Sequence, residues 1–424
     1  MIDKILEKRH LGLELNEEEI TYIVDGFLSG EITDAQMTSI LTSSKYKRLT
    51  TKEVIWFTEK SVNVSKNIKI RSKKIIIDKH SVGGIGDKFT LLLVPVLASL
   101  GFTVVKTSGT GLGITGGTID KVLSIPGFNP FLSIKEVEKI TSKNDMILFA
   151  HSPDFALIDE KIYNLRNQTN TANIIEWVAI SVMTKKILID SDLILIDLKV
   201  GDGAFCKTTA DADKLIHYFQ KIADHFKRKI SIVVSTVNEP LGFSVGNACE
   251  VHEVISYLSG EKNSDLETLL KAFLNHLAKE YPLANTRIEE AIKSGKAFKK
   301  FVQLIDNQGG NFNEFMEKYA SELAKMNLTE IKANKSGIFK MTKVSQIGEV
   351  SRDIGIIATS KYPTPEKYSA IFVDKKNNQS VKKNDVLIRV YSPEQLSKET
   401  LDKLKTCYRI DQTRGSYKLI VKMV

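Results

Sequence analysis

A short β-branched run, a glycine-rich loop and a helical stretch follow one another twice in succession, and this repeat constrains the fold more than any other feature. The first copy reads KIIID, KHSVGGIGDK and TLLLVPVLASLG from residue 74, and the second reads TVVK, TSGTGLGITGGT and IDKVLSI from residue 103. Short strands that alternate with helices are typical of a parallel sheet. Further strand candidates at 145–150, 193–197 and 230–234 continue the alternation. The sequence therefore predicts an α/β fold.

The segments on either side of this region have different patterns. The N-terminal 70 residues contain apolar residues at helical spacing after capping-box motifs, which predicts a small helical domain. The capping boxes pair Asn16 with Glu19, Thr33 with Gln36 and Thr50 with Glu53. Residues 336–424 contain short alternating runs such as GIFKM, DVLIRV and YKLIVKM, which favour a β-rich C-terminal α/β domain.

The composition excludes several classes of protein. With 424 residues, 42% hydrophobic and 26% charged, the chain is long enough for about two to three domains and has the balance of a globular protein. We find no apolar run of about eighteen residues and no apolar signal segment at the N-terminus, so we expect a cytoplasmic protein without a membrane partner. The net charge of +9 is spread along the chain among acidic residues, which argues against a nucleic-acid partner.

The cysteines and most of the histidines give no sign of a metal site. Cys206, Cys249 and Cys407 are far apart and lack CxxC spacing, so structural burial is expected. Six histidines show no HxxxH spacing, and we expect them to have no role in a site. They are His10, His151, His217, His225, His252 and His276.

Each glycine-rich loop directly follows a strand and precedes a helix. Such a loop leaves backbone N–H groups free at the positive end of the helix, and glycine lets the backbone approach an anion closely. Lysine and hydroxyl side chains would complete a polar cup around a phosphate group: Lys79, Ser81, Thr90, Ser108 and Thr118. The alternative is a pair of tight strand–helix turns without a ligand.

A dinucleotide site is a second interpretation of the same region. Gly111, Gly113 and Gly116 satisfy GxGxxG, and Glu136 and Glu138 follow about twenty residues later. The fingerprint belongs to the first βαβ unit of a Rossmann fold, whereas an equally glycine-rich loop precedes it here. The sequence has no GxxxxGK(S/T) motif, which excludes a P-loop NTPase.

Longer motifs distinguish between these interpretations of the glycine-rich loops. KHSVGGIGDK, SGTGLGITGGTIDK, SIPGF, DLKVGDGAF and LGFSVGNACEV resemble the pyrimidine nucleoside phosphorylase and thymidine phosphorylase family, in order and over essentially the whole chain. The resemblance implies a helical domain at 1–70 completed by about 160–190, an α/β phosphate-binding domain at 71–159 and 191–330, and a C-terminal α/β domain at 336–424. It also implies a homodimer whose active site is the cleft between the helical and α/β domains.

The activity implied by the resemblance is the reversible phosphorolysis of uridine, thymidine or deoxyuridine to free base and α-(deoxy)ribose 1-phosphate. Inorganic phosphate is the co-substrate, and no organic cofactor is implied. Phosphate attacks C1′ with inversion while cations stabilise the departing base. One alternative is a divergent, weakly active or inactive relative that binds nucleoside or phosphate in a regulatory or scaffolding role. A more remote alternative is a phosphoribosyltransferase related to anthranilate phosphoribosyltransferase, but the glycine-rich loops lack an acidic pair for magnesium–diphosphate.

The resemblance also assigns roles to individual residues. The phosphate ligands are the five side chains of the polar cup. The base-binding and catalytic residues are His80, Arg166, Ser181 and Lys185. Ser181 and Lys185 are i, i+4 neighbours, so both can project from one helix face. Lys106 is expected at the 2′-hydroxyl of a ribonucleoside, because broad-specificity relatives carry lysine there; the alternative is that Lys106 points to solvent.

Several broad-specificity relatives hold a potassium ion. The matching groups here are the carbonyls of Gly86, Leu241 and Ser244 and the carboxylate of Glu253, but Lys88 stands where those relatives have a threonine ligand. A lysine ammonium is a compact monovalent cation with three donors, so we expect it to replace the ion. In the alternative, Lys88 turns outward and the site binds potassium or stays empty.

The chain departs from the family's pattern near the expected ligands. None of the replaced positions is a direct ligand, but residues of this kind orient ligands, so their replacement can lower activity. The positions are Thr110 (arginine in the family), Ile114 (histidine), Leu123 (glutamate), Leu157 (proline), Asn167 (aspartate) and Glu176 (proline).

Overall fold

The computed structural model describes residues 1–111, 113–151, 155–282 and 288–424. Its helices are α1 (Ile2–Leu11), α2 (Glu17–Ser29), α3 (Asp34–Tyr46), α4 (Thr51–Asn63), α5 (Phe89–Ser99), α6 (Thr118–Val122), α7 (Ile134–Asn144), α8 (Leu157–Gln168), α9 (Ile175–Ile187), α10 (Thr209–His225), α11 (Asn247–Leu258), α12 (Ser264–Leu277), α13 (Ile288–Lys293), α14 (Lys296–Asn307), α15 (Phe312–Leu323), α16 (Val344–Asp353) and α17 (Lys398–Thr406). Its strands are β1 (Ile76–Ser81), β2 (Thr103–Ser108), β3 (Met146–Ala150), β4 (Leu193–Val200), β5 (Ile230–Thr236), β6 (Ser244–Val245), β7 (Asn327–Lys332), β8 (Gly337–Met341), β9 (Ala370–Val373), β10 (Ser380–Val381), β11 (Val386–Ser392), β12 (Tyr408–Asp411) and β13 (Ile420–Met423).

A central six-stranded sheet has the strand order β13-β5-β4-β1-β2-β3. The strands from β5 to β3 in that order pair in parallel, which confirms the predicted α/β fold. The last strand, β13, runs antiparallel to β5 at the edge. The sequence pattern groups this strand (YKLIVKM) with the C-terminal domain, but the chain returns to the central sheet. Pairing with β13 satisfies backbone groups that the edge strand β5 would otherwise expose.

The central sheet is buried on both faces, as parallel sheets usually are. Leu193 and Leu195 of β4 belong to an apolar core that they share with α5, α11, α12 and α14. The alternate residues Ile194 and Ile196 belong to a second core, which contains residues of α1 to α4, α8, α9 and α10. Helices therefore cover the sheet on either side.

The N-terminal helices confirm the predicted helical region. All three expected capping boxes are present, at Asn16, Thr33 and Thr50. Helices α8 and α9 share the apolar core of α1 to α4, and the rings of Phe57 on α4 and Trp177 on α9 have centroids 4.8 Å apart. This packing brings α8 and α9 to the helical side of the central sheet.

The C-terminal region is built from two small antiparallel sheets with the strand orders β10-β8-β12 and β6-β9-β11-β7. Helices α16 and α17 pack on them in a third apolar core. That core also includes Ile85, Ala204 and Val237, which lie in loops at one edge of the central sheet. The C-terminal region is thus packed directly against those loops.

The three cysteines are unpaired and buried, as their spacing predicts. Burial raises the pKa of Cys206 and of Cys407 to about 12 and raises that of Cys249 further, so the thiols are unreactive. In the described part of the chain, we find no helix that is both long and apolar enough to cross a bilayer.

Candidate active site

The expected ligands from the first half of the chain meet at one edge of the central sheet. Lys79, His80 and Ser81 form the end of β1, and Lys106 and Ser108 lie near the end of β2. Because β1 and β2 are parallel, with Asp78 opposite Val105, continuing the register places Ser81 beside Ser108. The two glycine-rich loops leave from these strand ends, so one edge of the sheet carries both.

Two members of the predicted polar cup, Lys79 and Thr90, are in direct contact. The Lys79 ammonium donates a hydrogen bond to Thr90 Oγ1 at 2.6 Å, and Lys79 is fully buried. Burial lowers the pKa of Lys79, so a bound anion would favour its charged form. Ser108 and Thr118 stand at either end of the second loop, where the Ile119 N–H donates to the Gly109 carbonyl at 3.4 Å.

Several of the loop N–H groups that the sequence predicts to be free are engaged within the protein, so the prediction is wrong for those groups. In the second loop, the Asp120 carboxylate accepts hydrogen bonds from the N–H groups of Gly111 and Gly117, the latter at 3.2 Å. In the first loop, the Ile85 N–H donates to the Gly203 carbonyl at 3.0 Å and the Lys88 N–H to the Gly86 carbonyl at 2.9 Å. An anion in this cup would therefore rely mainly on side chains.

Buried carboxylates outside the predicted set of ligands hold these side chains in place. The Ser81 hydroxyl donates to Asp87, and Asp197 lies 3.5 Å from the Lys79 ammonium and 2.7 Å from that of Lys199. Although burial raises the pKa of Asp87, nearby ammonium groups, that of Lys199 above all, lower it below its ordinary value. Asp197 and Lys199 belong to the motif DLKVGDGAF, which was the signal that could have identified them.

A second cluster lies on α8 and α9. The Lys185 ammonium donates to Ser181 Oγ at 2.8 Å and to the Asp159 carboxylate, so the expected i, i+4 pair does meet. The Arg166 guanidinium donates to the carbonyls of Trp177, at 3.0 Å, and Ala172. Burial lowers the pKa of Arg166 to about 10, so the guanidinium is still charged at neutral pH.

His80 is influenced by both clusters. Its Nδ1 atom is buried and has no hydrogen-bond partner among the described residues. Burial holds the pKa of His80 well below its ordinary value, and the ammonium groups of Lys106, Lys186, Lys185 and Lys79 lower it further. The imidazole is therefore neutral, and it can donate or accept a hydrogen bond but adds no charge.

Lys106 does not point to solvent. Its side chain is buried, with 2% of the residue exposed, and its ammonium donates to the Thr107 carbonyl. In the described part of the chain it forms no ion pair. Burial, together with Lys186 and Lys79, lowers the pKa of Lys106 well below its ordinary value. The group is an incompletely satisfied donor at the edge of the sheet.

His151 also belongs to this edge, although its spacing in the sequence suggests no role. It directly follows β3, and its Nδ1 atom lies 2.7 Å from Thr107 Oγ1. Burial and the ammonium groups of Lys185, Lys106 and Lys186 keep its pKa well below the ordinary value. Its position at the carboxyl end of a predicted strand was the signal that could have identified it.

The Lys88 ammonium contacts three of the four groups expected around a potassium ion, while the fourth, the Gly86 carbonyl, accepts from the Lys88 backbone N–H at 2.9 Å. Its ammonium donates to the carbonyls of Leu241 and of Ser244, the latter at 2.8 Å, and lies 2.9 Å from Glu253 Oε2. The residue is fully buried, so the alternative in which Lys88 turns outward is wrong. Although burial lowers the pKa of Lys88, the Glu253 carboxylate raises it above the ordinary value. Potassium does not fit this arrangement, because the ammonium occupies the point on which these oxygens converge.

Some of the departures from the family's pattern have visible partners. The Glu176 carboxylate lies 3.1 Å from Arg48, which follows α3 in the helical domain, and 3.4 Å from the Tyr218 hydroxyl on α10. Ile114 packs against the C-terminal core. Leu112, in the same loop, lies outside the described residues. Among the described residues, no group of three or more His, Cys, Asp and Glu side chains is arranged to hold a metal ion.

Comparisons with known proteins agree with the resemblance seen in the sequence. Residues 2–63 match the helical bundle domain of a glycosyl transferase family, and residues 73–298 match its a/b domain. The chain is 36% identical to a thymidine phosphorylase from Mycoplasma genitalium over 94% of this chain and 96% of that protein. It is 33% identical to a pyrimidine-nucleoside phosphorylase from Bacillus subtilis over 100% of this chain and 99% of that protein.

A solved structure shares the fold at low sequence identity. The crystal structure of anthranilate phosphoribosyltransferase from Thermus thermophilus matches with a TM-score of 0.57 and 12% identity, over 72% of this chain and 98% of that one. This likeness concerns the fold alone.

Proposed function

The chain belongs to the glycosyl transferase family that joins these helical bundle and α/β domains, and on that premise we propose that it catalyses the reversible phosphorolysis of pyrimidine nucleosides. One observation carries the proposal beyond family membership. Lysine and hydroxyl side chains converge at the sheet edge around Lys79 and Thr90, while a second group of cations lies on α8 and α9, and His80 is influenced by both. Two anionic groups, a phosphate and a departing base, suit such a cleft.

The sheet edge is our proposed phosphate site. Lys79, Ser81, Thr90, Ser108 and Thr118 would hold the dianion through side-chain donors, since several loop N–H groups, among them those of Gly111 and Gly117, are already engaged. A charged donor in a buried site forms a strong hydrogen bond to phosphate. The bound dianion is then held with one oxygen free to attack C1′ of the pentose.

The helices α8 and α9 carry our proposed base site. When phosphate bonds to C1′, the bond from C1′ to N1 breaks, its electron pair moves onto the pyrimidine, and the configuration at C1′ inverts. Arg166 and Lys185 would stabilise the negative charge on the base, and Ser181 would fix its orientation. Neutral His80 would add an N–H donor. The leaving base then takes a proton from solvent, so no covalent enzyme intermediate is required.

Lys106 supports a broad specificity for the sugar. A buried ammonium whose hydrogen bond in the described residues goes to the Thr107 carbonyl has donors left for a pentose hydroxyl. We propose that it binds the 2′-hydroxyl and that the enzyme accepts both ribonucleosides and 2′-deoxyribonucleosides. The co-substrate is inorganic phosphate, and neither an organic cofactor nor potassium has a role in the proposed steps.

We propose a cytoplasmic homodimer. Its support is an exposed apolar patch at neighbouring ends of α1 and α3, formed by Leu11, Leu13 and Tyr46, which are 64%, 51% and 76% exposed. The two helix ends lie close together: a Cβ atom on Gly12, which follows α1, would lie 2.7 Å from the side chain of Lys47, which follows α3. Unpaired buried cysteines are usual in a reducing compartment. Sedimentation equilibrium of the native protein and of Tyr46→Asp tests the dimer, which the variant should weaken; a native monomer would rule it out.

The activity is tested by incubating the purified protein with uridine, thymidine or deoxyuridine and following the release of free base, with and without phosphate. We expect release that requires phosphate for at least one nucleoside. A protein that binds phosphate but releases no base from any of the three would instead be a divergent relative with a binding role.

A further inference from the structure

Helix α16 of the C-terminal region contacts both glycine-rich loops at one residue, Gly348. A Cβ atom on Gly348 would lie 2.5 Å from the carbonyl oxygen of Ile114, 2.7 Å from the Ile114 Cβ and 2.9 Å from the Ile85 Cδ1. Ile114 belongs to the second glycine-rich loop and Ile85 to the first. A glycine at this position lets the helix approach closely enough to contact the two loops together.

The same helix is fixed to the central domain at its N-terminus. The Ser345 N–H donates to the Asp202 carboxylate at 2.7 Å, and a Cβ on Gly203 would lie 2.6 Å from the Val344 side chain. The side chains of Val344, Ile347 and Val350 are buried in the C-terminal core. Helix α16 is therefore held by the central domain and by the C-terminal core, and the loops pack against it.

The second loop is held at two places. At its base, the Asp120 carboxylate binds the N–H groups of Gly111 and Gly117. Near its tip, Ile114 packs on the C-terminal core through its contact with Gly348. Gly113, directly before Ile114, is exposed and has a φ of 63°, a conformation that glycine adopts without strain. The Ile114 contact thus limits how the tip can move.

We propose that the C-terminal domain positions the phosphate site, with Gly348 and Ile114 acting as positioning residues. The second loop begins after Ser108 and ends at Thr118, two of the proposed phosphate ligands, and the first loop ends just before Thr90. Displacing the docked loops would move these hydroxyls relative to Lys79, which is fixed in β1. The inference rests on the proposed function and assigns a role within it to a domain that supplies none of the proposed ligands.

The effect should be specific to phosphate. A displacement of about 1 Å in a positioning element can cost about a hundredfold in rate. A methyl group added between Gly348 and Ile114 should therefore displace the phosphate ligands enough to alter phosphate binding. The base site on α8 and α9 has no extensive contact with α16 in the described residues. Nucleoside binding should therefore change little.

The test compares steady-state kinetics of native protein, Gly348→Ala, Ile114→Ala and the control Glu349→Ala, which alters the neighbouring exposed residue of the same helix. We expect the KM for phosphate to rise about tenfold or more in Gly348→Ala and Ile114→Ala, with the KM for uridine within about threefold and Glu349→Ala unchanged. Ile114→Ala lies in a surface loop and keeps the test valid if Gly348→Ala fails to fold.

A double variant distinguishes positioning from a general loss of stability. Gly348→Ala displaces the Ile114 backbone from α16, and Ile114→Ala removes the part of that side chain that packs on the C-terminal core. Both variants weaken the docking of the same loop, so their combination should raise the KM for phosphate by clearly less than the product of the single effects. Equal changes in both KM values, or purely additive effects, would overturn the inference. A native protein without phosphorolysis would overturn the proposed function instead, so the two failures are distinguishable.

Discussion

Two buried lysines near the first glycine-rich loop are held in opposite ways. Lys88 and Lys106 are 0% and 2% exposed, yet Lys88 is surrounded by two carbonyls and the Glu253 carboxylate, whereas Lys106 donates to the Thr107 carbonyl and forms no ion pair among the described residues. Burial lowers the pKa of each, but only for Lys88 does a carboxylate reverse the shift. A buried ammonium with a full set of acceptors is structural. One without such a set can still gain stabilisation from a ligand.

The Glu253 carboxylate beside Lys88 has all of its hydrogen bonds supplied by the protein. Its carboxylate accepts hydrogen bonds from the N–H groups of Phe243, at 2.7 Å, and Ser244, at 2.9 Å, and from the Asn263 amide at 2.7 Å. No capacity remains there for a substrate. The proposed active site contrasts with it, because Lys106, His80 and His151 all have pKa values lowered by burial and by neighbouring cations. The following variants should therefore separate stability from activity.

Removing a cleft cation should have the largest effect. In Lys185→Ala we expect kcat/KM for uridine to fall by about two to four decades, because the charge that stabilises the departing base is lost. Since Asp159 loses its partner, stability should fall as well. In Lys185→Ala combined with Asp159→Asn, thermal stability should recover while activity does not. A loss of activity below about tenfold would contradict the proposed base site.

Removing the enclosed cation should instead affect stability. Lys88→Met leaves the Glu253 carboxylate buried without a cation, so urea unfolding should show a loss of about 3–5 kcal/mol in the free energy of unfolding. Adding Glu253→Gln should recover part of it.

A comparison of potassium with sodium buffers tests whether the Lys88 ammonium or a metal ion occupies this position. The native protein should show equal activity and melting temperature in sodium and potassium buffers of matched ionic strength, whereas Lys88→Thr should be stabilised by potassium. Strong potassium activation of the native protein would show that the ammonium does not replace the ion.

Removing the incompletely satisfied cation should alter specificity more than stability. In Lys106→Met we expect kcat/KM for uridine to fall about ten- to a hundredfold relative to that for deoxyuridine, since a ribose 2′-hydroxyl would be buried unpaired. Unfolding free energy should change little, because no carboxylate loses its partner. The same two substrates are also compared in the native protein. There, a preference for deoxyuridine beyond about a thousandfold would exclude the role assigned to Lys106.

The smallest expected effect is on the pH dependence of stability. The folded protein resists protonation of His80 and His151, whereas the unfolded chain takes up these protons near the ordinary pKa of about 6.5. The contribution of these two histidines to stability should therefore be constant above that pH and fall as the pH drops below it. In His151→Gln the slope should be smaller by up to about 1.4 kcal/mol per pH unit. An unchanged slope in His151→Gln would contradict its assignment as a buried neutral group.

The parts of the fold that could be predicted depend on local patterns. The capping boxes at Asn16, Thr33 and Thr50 form because the residues that make them are three apart in the chain. The strands β1 and β2 overlap the β-branched runs at 74–78 and 103–106, but each extends beyond its run into the start of the glycine-rich loop, to Ser81 and Ser108. The edge position of β13 could not be predicted in this way, because an alternating run of residues does not show which of two sheets it joins.

The candidate site likewise has features that could be predicted from local patterns and features that could not. The contact between Ser181 and Lys185 follows from helix geometry, and the strand ends place Lys79 and Ser81. By contrast, a sequence pattern does not show whether a side chain of the protein or a ligand will accept a hydrogen bond from a given N–H group. The loop N–H groups of Gly111 and Gly117 are expected to be free, but the nearby Asp120 carboxylate binds them. His151 was missed because its partner, Thr107, is distant in the chain.

The central claim is that phosphate itself attacks the nucleoside. Phosphorus-31 NMR of native enzyme with uridine and phosphate follows that bond directly. We predict the appearance of α-ribose 1-phosphate, in amounts equal to the uracil released, and its loss in Lys79→Met. Release of uracil without a sugar phosphate, or formation of the β anomer, would contradict direct attack with inversion.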